Sequence, residues 1–436
     1  MIGSGWFGKW AQALALVGLA GCAGDDGAST TATTGQGSAT ATTTAGTSST
    51  GETAGTSTTG DGTSTSTSTG TATSAGETET TTDTSTTTAG LEARPFTLGM
   101  TPFPYDVTQE AVDWVYGRLA VDVDLLAFHT TSGVPWVEAG MDASADGYGA
   151  SVKTIWATHL DQLGGGHEVY VALTPLDDSR SKLADYWAAE EHMPLPAPWD
   201  SYDFDAPEVK AAYLSFCRQA ILTYEPDHFA IGIEVNLLKA NAPERWDAFV
   251  DLHSATYTAL KAEFPDLPVF ATFTGVDLLE GWTALDHAAQ MDALADVLPY
   301  SDYLGISFYP FMSAYLANPY PASAWDDFVA LAGGKPVVIG ESGFPAQTTE
   351  LKDFMLTFEG TPEKQEAFVA DMLAAADVHS FPFVVNFLVR DYDALWEAIN
   401  GGDYEAIWRD TGFYDEGGAG RPALDTWLEA LARPHG

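Results

Sequence analysis

The chain has 436 residues, 45% of them hydrophobic and 12% aromatic, which is enough apolar material for one large domain or two ordinary ones. Its 18 Lys and Arg stand against 61 Asp and Glu, a formal net charge of −43. A field of that sign repels polyanions, so nucleic acid and polyuronates are disfavoured as partners, whereas a neutral polysaccharide or oligosaccharide meets no such barrier.

In chain order, the first feature is an apolar run from Ala11 to Ala20 preceded by Lys9. It is too short to span a bilayer and reads as an export signal. Leu19-Ala20-Gly21-Cys22 resembles a bacterial lipobox. Cleavage before Cys22 would make residues 1–21 a lipoprotein signal peptide and leave a lipidated Cys22, the only expected link to a membrane. An ordinary signal peptide with an incidental Cys is the alternative. Ala23 follows the Cys, so anchoring at the outer membrane or cell surface of a Gram-negative bacterium is expected. Residues 22–91 are dominated by Thr, Ser, Gly and Ala, which cannot bury enough apolar surface to offset the entropy of ordering, and are expected to be a disordered tether. A coil of about 60 residues spans about 45 Å. Cys217 is the second cysteine, so an internal disulfide with Cys22 spoken for is excluded, and a buried structural thiol is expected.

Residues 92–436 read as alternating strands and helices. Short apolar or alternating runs predict strands over 96–101, 123–129, 168–174, 228–235, 268–274, 302–309, 336–342 and 381–389. Helical spacing lies between them, clearest at Val209, Ala212, Tyr213, Phe216 and Ala220 behind Asp205 and Pro207. Eight such alternations predict an α/β fold, a (β/α)8 TIM barrel, with a doubly wound open sheet as the structural rival. No Gly-x-Gly-x-x-Gly follows the first predicted strand.

Two predicted strands carry a glutamate near their ends: "HFAIGIEVN" holds Glu234 and "KPVVIGESGFP" holds Glu341. A buried carboxylate is costly unless paired or functional. In a barrel the catalytic groups gather at the C-terminal ends of strands, so the fourth and seventh strands would bring this pair to one mouth. Retaining hydrolysis of a glycosidic bond needs two carboxyls about 5 to 5.5 Å apart, one as acid and base and one as nucleophile. Glu234 is expected to be the acid and base, kept protonated by apolar walls and a neighbouring negative charge, and Glu341 the nucleophile. Two strand-end acids held in salt bridges are the competing reading.

"LGISFYPF", "VVIGESGFP" and "GFYDEGGAGRPALDTW" resemble the corresponding stretches of glycoside hydrolase family 53, the endo-β-1,4-galactanases, within clan A of the glycoside hydrolases. The resemblance implies catalytic glutamates at Glu234 and Glu341, and a phenol at Tyr309 that hydrogen-bonds the nucleophile. It also shows departures. The clan's Asn before the strand 4 glutamate, which binds the sugar 2-hydroxyl, is Ile233 here. The Arg common at strand 2 is missing, with His129 nearby, and strand 8 offers Phe387 or the later Trp396 in place of the usual Trp. Asn236 or Asn386 would then replace the lost contact, or the substrate differs.

The expected substrate-binding set is Asn236, His129, Phe308 and Asn386, with Trp136, Trp199 and Trp282 as candidate sugar-stacking platforms; Trp114, Trp246 and Trp427 sit in helical stripes and read as core. No metal or other cofactor is expected: the His residues show no metal-ligand spacing, and the calcium-like start at Asp142 fails at Lys153. The function expected is a retaining endo-glycosidase on a neutral β-linked polysaccharide, galactanase-like, or a mannanase or glucanase of the same clan. The alternative is a catalytically weak carbohydrate-binding surface lipoprotein.

Overall fold

A computed structural model describes residues 92–436. The signal peptide, Cys22 and the tether lie outside the described residues.

The alternation closes into a barrel of eight parallel strands: β1 (Thr97–Met100), β2 (Leu125–Thr130), β3 (Glu168–Leu173), β4 (His228–Ala230), β5 (Val269–Thr274), β6 (Leu304–Phe308), β7 (Val337–Ser342) and, after an antiparallel hairpin of β8 (Thr349–Leu351) and β9 (Leu356–Phe358), β10 (Phe383–Asn386). Each barrel strand pairs with the next, and β10 returns to β1, so the sheet has no edge and the open-sheet rival is excluded. The strands are mostly apolar on both faces, as expected where helices cover the outside and side chains fill the inside. Leu125, Ala127, Tyr170, Ala172, Ala230, Phe270, Val338, Phe383 and Val385 pack within the barrel. The alternate positions, such as Leu126, Val171, Phe229 and Ile339, face the helices.

The helices follow their sequence signals. Pro207 opens the helix Pro207–Tyr224 at its first turn, where a missing N–H costs nothing. That helix buries Val209, Ala212, Tyr213, Phe216, Cys217 and Ala220 along one face and ends at Glu225, whose φ of 47° is left-handed. Cys217 is fully buried there, as a structural thiol. Trp246 and Trp427 are core, as their spacing predicts.

Two departures from regular strand matter for the site. The fourth strand is shorter than its apolar run: ladder pairing stops at Ala230, and residues 231–235 follow β5 through single bonds, including Ile231 N–H to Phe270 C=O at 2.8 Å and Val235 N–H to Thr272 C=O at 3.0 Å. In β7, pairing with β6 jumps from Ile306–Ile339 to Ser307–Glu341, a bulge that gives Gly340 no partner of its own. Gly340 and Glu341 therefore both turn inward, where strict alternation would have sent one outward. A Cβ on Gly340 would stand 3.0 Å from the Tyr170 hydroxyl and 3.1 Å from Thr272 Cγ2, so a larger residue there would press on both neighbours.

Candidate active site

Glu234 and Glu341 meet at the C-terminal mouth of the barrel. Glu234 does so in a left-handed conformation, φ 51°, pinned by its own N–H donating to Thr272 Oγ1 at 3.0 Å. Glu341 arrives through the β7 bulge. Their side chains are 21% and 20% exposed, buried enough to be poorly hydrated yet open to the mouth.

Each carboxylate is held by two groups. Ser307 Oγ donates to Glu234 Oε1 at 2.9 Å, and Arg180 Nη2 lies 3.3 Å from Glu234 Oε2. The Tyr309 hydroxyl donates to Glu341 Oε1, and His129 Nδ1 lies 3.3 Å from Glu341 Oε2. Ser307 and Tyr309 come from β6 and the residue just after it, at inward positions two apart, roughly 6.6 Å along a strand. One strand end thus holds both carboxylates.

The two environments differ in sign. Burial pushes the Glu341 carboxyl up, but the hydrogen bond and charge of His129, the Tyr309 hydroxyl and the Arg180 charge outweigh it, leaving Glu341 below its ordinary value. Burial also pushes Glu234 up; Arg180 opposes it, the Glu341 charge adds to it, and the net direction is upward. Burial and the Glu341 charge raise the Tyr309 phenol well above its usual range, so it remains a donor. A third acid, Asp277, is pushed up to about 6 by burial, with a hydrogen bond to Thr283 opposing and the Glu234 charge adding. A carboxyl pushed toward its protonated form beside one pushed toward its ionised form is the electrostatic pattern of proton transfer paired with nucleophilic attack.

Several expected binding residues lie elsewhere. Asn236 is fully buried, and its amide is used internally: Oδ1 accepts from Thr274 N–H at 2.8 Å and Nδ2 donates to Gln290 Oε1 at 2.7 Å. It braces the end of β5 and presents no group to a ligand. Asn386 is buried too, donating to Leu388 C=O at 3.3 Å. Phe308 points outward from β6 into a cluster with Trp325 and Phe328. Trp136 is fully buried, its indole N–H donating to Ala184 C=O at 2.8 Å and its ring stacked on Trp199. Trp199 and Trp282 are only 8% and 6% exposed, too little for either ring to stack against a pyranose. Helical and loop packing consumed these aromatics, the ordinary fate of large apolar side chains. His129 does reach the site, and Ile233 packs inside the barrel without facing the mouth.

Other residues at the mouth escaped sequence reading. Arg180 belongs to "LDDSRSKL", which reads only as a turn; its one signal was its place after a barrel strand's C-terminal end. Tyr404 and Trp408, in the segment after β10, form an edge-to-face pair, 5.7 Å between ring centres. Trp408 lies edge-on to Tyr309 at 6.1 Å, and Tyr404 feels the charges of Arg180 and Glu234.

No protein-family model and no curated protein matches the chain. Solved structures do share the fold. An exo-β-1,4-mannosidase, Op5Man5, from Opitutaceae bacterium strain TAV5 superposes with a TM-score of 0.51 at 15% identity over 79% of this chain, which spans 60% of the mannosidase's length. A GH5_18 protein from Streptomyces cattleya, solved in complex with Manb1-4GlcNAc, gives 0.51 at 16% identity, covering 78% of this chain and 81% of that one. A GH5_18 from Bifidobacterium longum subsp. infantis gives 0.51 at 15%, covering 79% and 81%. At these identities the likeness establishes the TIM-barrel fold alone.

Proposed function

We propose that residues 92–436 form a retaining glycosidase acting on a neutral β-linked glycan, held at a cell surface by a lipid on Cys22 and the 22–91 tether. The observation that carries this reading is the pair Glu234 and Glu341 at one barrel mouth, in environments that drive their proton affinities in opposite directions. In the first step Glu341 attacks the anomeric carbon while the proton on Glu234 passes to the departing glycosidic oxygen, whose bond to that carbon breaks. In the second, Glu234, now a carboxylate, takes a proton from water. The water oxygen bonds to the anomeric carbon, and the bond to Glu341 breaks with its electron pair returning to the carboxylate. Tyr309 and His129 hold Glu341 in line for attack.

The choice of substrate rests on two supports. Sequence resemblance favours endo action on β-1,4-galactan, and the proteins sharing the fold include a β-1,4-mannosidase and one solved with Manb1-4GlcNAc. The net charge of −43 favours a neutral polymer in either case. The test is product release from β-1,4-galactan, mannan, xylan and β-glucans by the wild-type domain and by Glu341→Ala and Glu234→Ala. Hydrolysis lost in both variants supports the assignment. A second reading, glycan capture with little turnover, is favoured by Ile233, which leaves no amide beside Glu234 for the sugar 2-hydroxyl. Binding without turnover, unaffected by either substitution, would select it.

A further inference from the structure

Arg180 is delivered to the mouth by a small, well-tied hairpin. Leu176 and Leu183 pair as an antiparallel bridge, and Asp177 organises the turn between them. Its Oδ1 accepts from Ser181 N–H at 2.8 Å and Lys182 N–H at 3.1 Å, while its carbonyl accepts from Arg180 N–H at 2.9 Å and from Arg180 Nη1 at 3.1 Å. Asn241, seven residues after Glu234, donates from Nδ2 to Ser179 C=O at 2.9 Å and ties the hairpin to the same side of the mouth. Arg180 itself is left-handed, φ 49°, and buried. A non-glycine residue held in that conformation needs surroundings that enforce it, and such residues collect at functional sites. The turn spends this cost on presenting one guanidinium to Glu234.

We propose that Arg180 is a positioning residue for Glu234, aiming its carboxylate and stabilising it in the half of the reaction where it must be anionic. This rests on the glycosidase reading. In the free enzyme the charged and titratable groups facing Glu234 are Arg180 from the hairpin, Glu341 from β7, His129 from β2, Asp277 after β5, Tyr309 after β6 and Tyr404 after β10. Once Glu341 is esterified its negative charge is gone, and with it the partner that opposes ionisation of Glu234. The guanidinium then acts against burial and holds Glu234 as a carboxylate until it takes the proton from the attacking water, the step in which the glycosyl–Glu341 bond breaks. Lysine could supply the charge but not the fork that engages Asp177 and Glu234 together.

The pairing is read directly from protein labelled with 13C at the glutamate side-chain carboxyl, with the Glu234 signal assigned through Glu234→Gln, titrated in wild type, Arg180→Met and Arg180→Lys. An opposite charge at this range moves a carboxyl by roughly 1 to 3 pH units, so Arg180→Met is expected to raise the Glu234 midpoint by about one unit, with Arg180→Lys recovering part of it. Asp177→Ala, which loosens the turn but keeps the guanidinium, is expected to shift it in the same direction by less, and stands in if Arg180→Met does not fold. An unchanged midpoint in these variants overturns the proposal. Because this readout needs no turnover, it stands apart from the glycosidase assignment, which the polysaccharide panel decides. On a hydrolysed substrate, Arg180→Met is further expected to show a burst of leaving group followed by slow turnover.

Discussion

Ser307 and Tyr309, two residues apart at the end of β6, hold opposite members of the carboxylate pair: Ser307 donates to Glu234 Oε1 and Tyr309 to Glu341 Oε1. A displacement of this one strand end would disturb both carboxylates together, since inward positions two apart along a strand move as a unit. The remaining contacts, His129 from β2 and Arg180 from the hairpin after β3, orient each carboxylate individually.

The pH dependence follows from the signs. On the proposed mechanism, turnover of free enzyme needs Glu341 ionised and Glu234 protonated. Glu341 lies below its ordinary value, so the acidic limb of kcat/KM is expected below the usual glutamate range. Glu234 lies above it, so the basic limb is expected above that range. A kcat/KM profile against pH measures both limbs.

Tyr309→Phe removes one of the donors that keep Glu341 ionised, along with the means of fixing its rotamer. The acidic limb is expected to move to higher pH, and kcat to fall by roughly 100-fold, the scale seen when one preorganised donor is lost. Steady-state kinetics across pH check this, and an unshifted acidic limb would place Tyr309 outside the site.

Ser307→Ala takes a donor from Glu234. Because that donor favours the carboxylate, its loss is expected to push the basic limb upward by up to about one pH unit, equivalent to about 1.4 kcal/mol, while the acidic limb stays in place.

Gly340→Ala tests the bulge. Its new Cβ meets the Tyr170 hydroxyl and Thr272 inside a packed barrel, and is expected to cost about 1 to 3 kcal/mol in urea unfolding. Activity should fall further than stability accounts for, since the same backbone aims Glu341.

Trp136→Phe separates packing from binding. The lost indole donor leaves the Ala184 carbonyl without its partner, an expected destabilisation of about 1 to 3 kcal/mol, with KM for any hydrolysed glycan unchanged. A raised KM would return Trp136 to the substrate.

The barrel was legible in the sequence because eight apolar runs alternate with helical spacing, and Glu234 and Glu341 stood out as carboxylates interrupting buried strands. What surrounds them was harder to read. A bulge such as that at Gly340 leaves no mark in an apolar run beyond a glycine, and the left-handed turn at Glu234 looked like continued strand. Aromatic residues near strand ends look alike whether they face the mouth or a helix: Phe308 and Tyr309 are adjacent, yet one packs on Trp325 and the other holds Glu341. Arg180 depends on a turn whose purpose appears only when the chain has folded back over the barrel.

The most direct test of the central claim is covalent trapping of the intermediate. The domain is incubated with a 2-deoxy-2-fluoro aryl glycoside of the sugar it hydrolyses, then digested and its peptides analysed by mass spectrometry. The account predicts a single glycosyl ester on Glu341, absent in Glu341→Ala and broken down more slowly in Arg180→Met. An ester on any other residue, or turnover that releases the inverted anomer with no ester at all, would contradict it.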